Sequence, residues 1–241
     1  MLENLTLSNI LFLDIETVPQ YPSFEQLPDK FKLLWEKKAQ TFRSIAEDDP
    51  SVSYQRAGIY AEFGKIVCIS CGFFTKERKF RLTSFYSHDE IDILRKFAHV
   101  LDDFCNSNQK QLCAHNGKEF DFPFISRRLL VHGIDLPDVL NTPGKKPWEV
   151  NHLDTMELWK FGDYKSYTSL ALLAAVFDIP TPKDDIDGSQ VGEVYWKEND
   201  LERISRYCQK DVLTIAQIIR KFRREEFIPE NDIEIVEQEN E

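Results

Sequence analysis

No segment of the 241 residues approaches the ~20 consecutive apolar residues of a membrane span, which excludes a transmembrane helix. Ahead of the first apolar run there is an acid, Glu3, and no Lys or Arg, the reverse of a secretory leader. Cysteine is sparse. There are five, an odd number without framework spacing, which argues against a disulfide scaffold and for a reducing, cytoplasmic setting. Cys68 and Cys71 form a lone CxxC, but inside an expected strand, where an i, i+3 pair points to opposite faces; a shared zinc site is excluded. No internal repeat and no Gly/Ser-rich linker divides the chain. Residues 225–241 lack Lys and Arg altogether.

That last absence changes how the charge is read. The net charge of −11 argues at first against a nucleic-acid partner. Residues 225–241 hold eight of the 41 acids, so the remainder carries 33 acids against 30 bases, a net of −3. This acidic stretch is expected to be a flexible or loosely docked tail. The other 224 residues are expected to form one domain, with a helical insertion at about 20–60. A composition of 42% hydrophobic and 12% aromatic residues suffices for a sizeable core.

Residues 10–19 read as a buried strand interrupted by two acids, Asp14 and Glu16. Side chains alternate along a strand, so both acids point the same way, roughly 7 Å apart, while Ile15 points into apolar packing. Such a pair is unfavourable unless a cation sits between the acids, and a hard divalent cation with oxygen ligands is the natural solution. Alone, Asp-x-Glu equally suits a strand that has reached solvent.

In the insertion, Phe31, Leu34, Trp35, Phe42, Ile45 and Ala46 fall at helical spacing, and residues 47–57 look like a polar loop. Residues 66–74 and 80–86 form an expected antiparallel hairpin whose turn lacks a strong Gly signal. Ser87-x-x-Glu90 reads as a capping box before an amphipathic helix. A short strand over 112–115, a helix over about 119–132, a loop over 134–150 and a strand over 150–153 ending at Asp154 follow. Helical segments near 155–160, 168–177 and 190–196 precede the last helix, which starts at a second capping box, Asn199-x-x-Glu202. Its stripe is Leu201, Ile204, Cys208, Val212, Ile215, Ile219 and Phe222. This order predicts an α/β layer fold with a mixed sheet.

Two further groups of residues stand out. Asp121 sits between Phe120 and Phe122 where a strand hands over to a helix, a common place for functional groups. It also fits a plain helix N-cap followed by Pro123. Lys118, Arg127 and Arg128 are candidate phosphate contacts nearby. Tyr207 and Asp211 are i, i+4 and share one helix side; alone, they also suit a core aromatic and a boundary acid.

Together FLDIETVP (12–19), HNGKEFDFPFI (115–125) and RYCQKDV (206–212) resemble the three motifs of the DEDD superfamily of 3′→5′ exonucleases. The Tyr-x-x-x-Asp spacing resembles the tyrosine subtype; the histidine subtype would place His at 206, which is Arg. FGKIVCIS (63–70) and PTPKDDIDGSQV (180–191) resemble bacterial stand-alone exonucleases similar to the proofreading domain of B-family DNA polymerases. The resemblance covers most of residues 8–224. It implies a ribonuclease H-like fold with a five-stranded mixed sheet flanked by helices. It places metal-binding acids at Asp14, Glu16, Asp121 and Asp211, a water-positioning Tyr207, and Asp154 beside the ligand set. Ile15, Thr17, Asn116, Lys118 and Phe120 are the implied substrate contacts, with Phe120 and the Lys145-Lys146 loop placed to stack on and steer a 3′ end.

The implied chemistry is phosphodiester hydrolysis with two divalent cations, Mg²⁺ or Mn²⁺, about 4 Å apart. Tyr207, with a reference pKa of about 10, suits a hydrogen-bonding role better than that of a base at pH 7. The implied substrate is a single-stranded 3′ end, DNA ahead of RNA. An exoribonuclease similar to ribonuclease D would use the same site, because 2′-OH recognition depends on pocket shape. A non-catalytic binding module or polymerase-associated subunit is the other reading. No polymerase domain fits in 241 residues, so a polymerase or repair partner would act in trans.

Overall fold

The sheet grows from β1 (Ile10–Pro19), the strand that carries Asp14 and Glu16. The computed structural model describes residues 2–42, 49–107, 109–163, 165, 167–180 and 186–237. β2 (Gly64–Phe74) pairs antiparallel with β1, and β3 (Phe80–Tyr86) antiparallel with β2. On the other side of β1, β4 (Gln111–Ala114) and β5 (Leu153–Asp154) add in parallel. The expected β2–β3 hairpin is present. Arg78 takes the left-handed conformation at φ 66°, the position where a glycine signal was missing.

The sheet has six strands, not the expected five, in the order β5-β4-β1-β2-β3-β6. The sixth, β6 (Ile233–Val236), comes from the acidic stretch expected to be a flexible tail. It pairs parallel with β3, Ile233 packs on the core, and Glu234 pairs with Lys79 and Arg81. Alternating Ile and Glu within a mostly acidic run supplied this strand. Glu239 and Glu241 lie outside the described residues.

Each face of the sheet is covered. Leu11, Leu13, Ile15, Ile66 and Ile69 pack on α3 (Glu90–Phe104) and α4 (Asp121–Val131). Ile10, Phe12, Phe80 and Cys113 pack on Val212, Ile215, Ala216 and Ile219 of α8 (Leu201–Phe222). Strand alternation therefore aims Asp14 and Glu16 at the α8 side, directly beyond Ile10 and Phe12. As expected, Cys68 and Cys71 fall in the packing of opposite faces.

Between β1 and β2, α1 (Asp29–Ala39), α2 (Pro50–Ser53) and a 3₁₀ turn (Tyr54–Ile59) bury Trp35, Tyr54, Ala57 and Phe63 together. The polar loop expected over 47–57 is helical from Pro50 onward. Asp49 caps it by accepting the Ser51 N–H, and Pro50 occupies the first turn. Ile45 and Ala46 of the expected helix, and residues 47 and 48 of the loop, lie outside the described residues.

Both expected capping boxes are replaced by single aspartate caps. Asp89 accepts the Ile91 N–H at α3, and Asp200 accepts the Arg203 N–H at α8. Glu90 instead turns inward. Its carboxylate accepts from the Ile66 N–H and from two nitrogens of Arg128, and pairs with His132. Arg128, 4% exposed, also donates to the Ala61 carbonyl, so it is not available as a phosphate contact. This buried bidentate pair fastens α4, and with it Asp121, to β2 and α3. The strand expected over 150–153 shrinks to Leu153–Asp154, after which come α5 (Thr155–Lys160), α6 (Leu170–Val176) and α7 (Val191–Glu193). α7 runs on as a π-helical turn over Val194–Glu198.

Candidate active site

Three chain segments bring four carboxylates to one place. Asp14 and Glu16 lie opposite Ser70 and Cys68 of β2. A register shift follows Glu16. Asp121 is the first residue of α4 rather than its N-cap; it is 2% exposed, and its Oδ1 accepts the Ile15 N–H at 3.2 Å. That single bond ties α4 to β1 between the two acids. Asp211 projects from α8, one turn after Tyr207.

These groups act on one another electrostatically, and among the described residues the ligand atoms within 4.8 Å of one another come from Asp14, Glu16 and Cys208. Burial pushes the Asp14 carboxyl well above its ordinary range, and Glu16, Asp121 and Asp211 push it further. Glu16, 7% exposed, is raised by burial and then by Asp211. Asp121 rises from its ordinary 3.8 to about 7, burial again being the largest cause. Buried like charges that raise one another fit a divalent-cation site, which would favour all of them ionised. Burial also raises the Tyr207 hydroxyl far above 10, helped by Asp211, Glu16 and Asp14. Tyr207 thus stays a neutral donor, and it donates to Asp211. Gly188 lies beside that hydroxyl; a Cβ there would stand 3.9 Å from it.

A titration follows from Asp121. Its folded-state value exceeds its unfolded one, so its contribution to stability is full below about 3.8 and is lost as pH rises through about 7. The melting midpoint of the protein in chelator is expected to fall by several degrees between pH 5 and pH 8, and added Mn²⁺ should flatten the fall. A midpoint that rises over this window contradicts the expectation.

Asp154 works from behind. Buried at the start of α5, its carboxylate accepts four backbone N–H bonds, from Asn116, Lys118, Met156 and Glu157. It fixes the turn after β4, where Asn116 sits at φ 63°. His115, held neutral by burial, joins the Thr155 hydroxyl to the Thr168 carbonyl beneath that turn. Asp154→Ala strands the N–H groups and should lose about 2–4 kcal/mol of unfolding free energy; Asp154→Asn, keeping one acceptor, should lose less. Urea unfolding of both variants measures the difference.

The implied substrate contacts are placed unevenly. Asn116 Oδ1 is buried with no partner among the described residues, and Phe120 is partly buried with its ring on Phe124. Lys118 is held by Glu157 at 2.6 Å. Ile15 is 4% exposed in the core, and its N–H is taken by Asp121. Thr17 is partly exposed just past the register shift, and Lys145 and Lys146 are exposed. Cys208 was missed. Its thiol donates weakly to the Asp14 carbonyl at 3.4 Å and to Asp14 Oδ2 at 3.5 Å. Its spacing from Asp211, i to i+3 on one helix, was the available signal.

Comparison with known proteins supplies the class. The profile of a family described as "Predicted 3'-5' exonuclease related to the exonuclease domain of PolB" matches residues 59–224, and the chain belongs to that family. β1 precedes the matched region, so Asp14 and Glu16 join the cluster through the fold. Among solved structures, the chain is similar to the family B DNA polymerase from the hyperthermophilic archaeon Pyrobaculum calidifontis, at 15% identity and a TM-score of 0.56. The similarity covers 88% of this chain and 24% of that polymerase. The fold is ribonuclease H-like, and the domain resembles the PolB 3′–5′ exonuclease, which supports a nuclease function. No curated protein matches the chain.

Proposed function

We propose that the chain is a metal-dependent 3′→5′ exonuclease of the tyrosine DEDD type that shortens single-stranded DNA from its 3′ end. The observation that supports this most is the convergence of Asp14, Glu16, Asp121 and Asp211: burial and neighbouring acids raise the first three, Asp211 acts on each of them, and a neutral Tyr207 stands beside it. The four carboxylates would hold two divalent cations, Mg²⁺ or Mn²⁺. When bound, these cations would make water a better nucleophile and stabilise the leaving 3′ oxygen. Tyr207 positions the attacking water by a hydrogen bond and gives up no proton. Asp121 keeps β1 and α4 in register through the Ile15 N–H, so one residue both supplies charge and aligns its neighbours. Asn116 Oδ1, buried with no partner among the described residues, is a candidate to accept a hydrogen bond from water.

Purified full-length protein with Mg²⁺ or Mn²⁺ is tested on 5′-labelled single-stranded DNA, duplex DNA and RNA in parallel. The expected result is a ladder that shrinks one nucleotide at a time, fastest on single-stranded DNA. Internal fragments at early times, or attack from the 5′ end, refute the reading. Preference for RNA keeps the chemistry and overturns the substrate.

A further inference from the structure

Cys208 stands inside the carboxylate cluster. One ligand atom each from Asp14, Glu16 and Cys208 lie within 4.8 Å of one another. Ligand oxygens and sulfurs around one Zn²⁺ stand about 3.4–3.7 Å apart, given tetrahedral bonds of about 2.0–2.3 Å. Small side-chain shifts would close the set. A second observation points to a ligand: Glu16, 7% exposed as a residue, has no hydrogen bond to any described residue, and its carboxylate lies in this cluster. The Cys208 thiol contacts Asp14 and is also hydrogen-bonded to Cys68.

We infer that the site has a second, thiophilic way of holding a divalent cation, in which Zn²⁺ or Cd²⁺ is bound by Asp14, Glu16 and Sγ of Cys208. The inference rests on the reading of Asp14 and Glu16 as ligands of a divalent cation. On binding, the Cys208 S–H bond breaks, its electron pair forms the sulfur–metal bond, and the proton leaves to solvent. Mg²⁺, a hard cation, has little affinity for thiolate and leaves the thiol protonated; Zn²⁺ and Cd²⁺ favour thiolate. The same pocket therefore distinguishes hard from soft cations by whether sulfur joins the ligand set. A soft cation held this way would compete with the hydrolytic cations for Asp14 and Glu16.

The test titrates metal-free full-length protein with Cd²⁺ and follows the ultraviolet thiolate-to-cadmium charge-transfer band. Mn²⁺ binding is measured in parallel by calorimetry. Wild type should develop the band, and Mn²⁺ should compete with it. Cys208→Ser should lose the band and bind Zn²⁺ at least about 10-fold more weakly, the lower range for losing even an outer partner of a metal site. Its Mn²⁺ affinity should be unchanged. Cys208→Ala replaces it if the serine variant does not fold, and is judged the same way. If wild type binds Mn²⁺ but shows no cadmium band, or if the band survives in Cys208→Ser, the inference fails while the carboxylate reading stands. Equal weakening of Mn²⁺ and Zn²⁺ in the variant makes Cys208 a packing residue and also overturns the inference. If wild type binds no Mn²⁺, the carboxylate reading itself fails and this inference falls with it.

Discussion

Asp14→Ala is expected to abolish hydrolysis, by at least about 10³-fold or ~4 kcal/mol of transition-state stabilisation, while making the metal-free protein more stable. Both effects have one origin. Asp14 is a carboxylate held by burial beside Glu16, Asp121 and Asp211, each of which disfavours its charge. With a divalent cation present, that crowding becomes affinity. Without one, it is repulsion, and removing Asp14 relieves it by about 1–2 kcal/mol, the usual size of a stabilising change at a strained functional site. Unfolding in chelator measures the gain, and Mn²⁺ calorimetry should show a lost site. Unchanged Mn²⁺ binding in Asp14→Ala would sink the assignment, whatever happens to activity.

Tyr207→Phe and Asp211→Asn should separate positioning from charge. The two side chains are hydrogen-bonded to each other on α8, so each variant also disturbs the other's partner. Asp211→Asn removes a charge from the cluster and should lose nearly all activity along with metal affinity. Tyr207→Phe keeps the ring in its packing and removes one donor. Losing one positioning hydrogen bond is expected to slow turnover roughly 30- to 1000-fold, ~2–4 kcal/mol. Mn²⁺ affinity should survive or rise slightly, because Asp211 is freed from the hydroxyl. Wild-type turnover in Tyr207→Phe, with chemistry limiting, reduces the tyrosine to a core residue. Loss of metal binding in that variant instead refutes the division of labour.

Much of the site could be read locally. Alternation along β1 put Asp14 and Glu16 on one face, and helical spacing put Tyr207 beside Asp211; both follow from backbone geometry over a few residues. The same arithmetic placed Cys68 and Cys71 on opposite faces. The hairpin and the stripe of α8 were equally legible, because burial on one side writes a period into the chain.

What needed the tertiary structure was every decision between two locally acceptable partners. Asp121 could cap a helix or reach another strand, and it bonds the Ile15 N–H, 106 residues away in sequence. Glu90 fits a capping box, yet a buried arginine from α4 offers two charge-assisted hydrogen bonds that a local cap does not. Ile233 and Ile235 alternate with acids in a stretch whose composition reads as unstructured; the open edge of β3, with Lys79 and Arg81 facing Glu234, gives that alternation a strand to join. Cys208 looked like one more member of an apolar stripe. Only the approach of α8 to β1 places its sulfur against Asp14, because residue spacing sets which side of a helix a group occupies but not what that side meets.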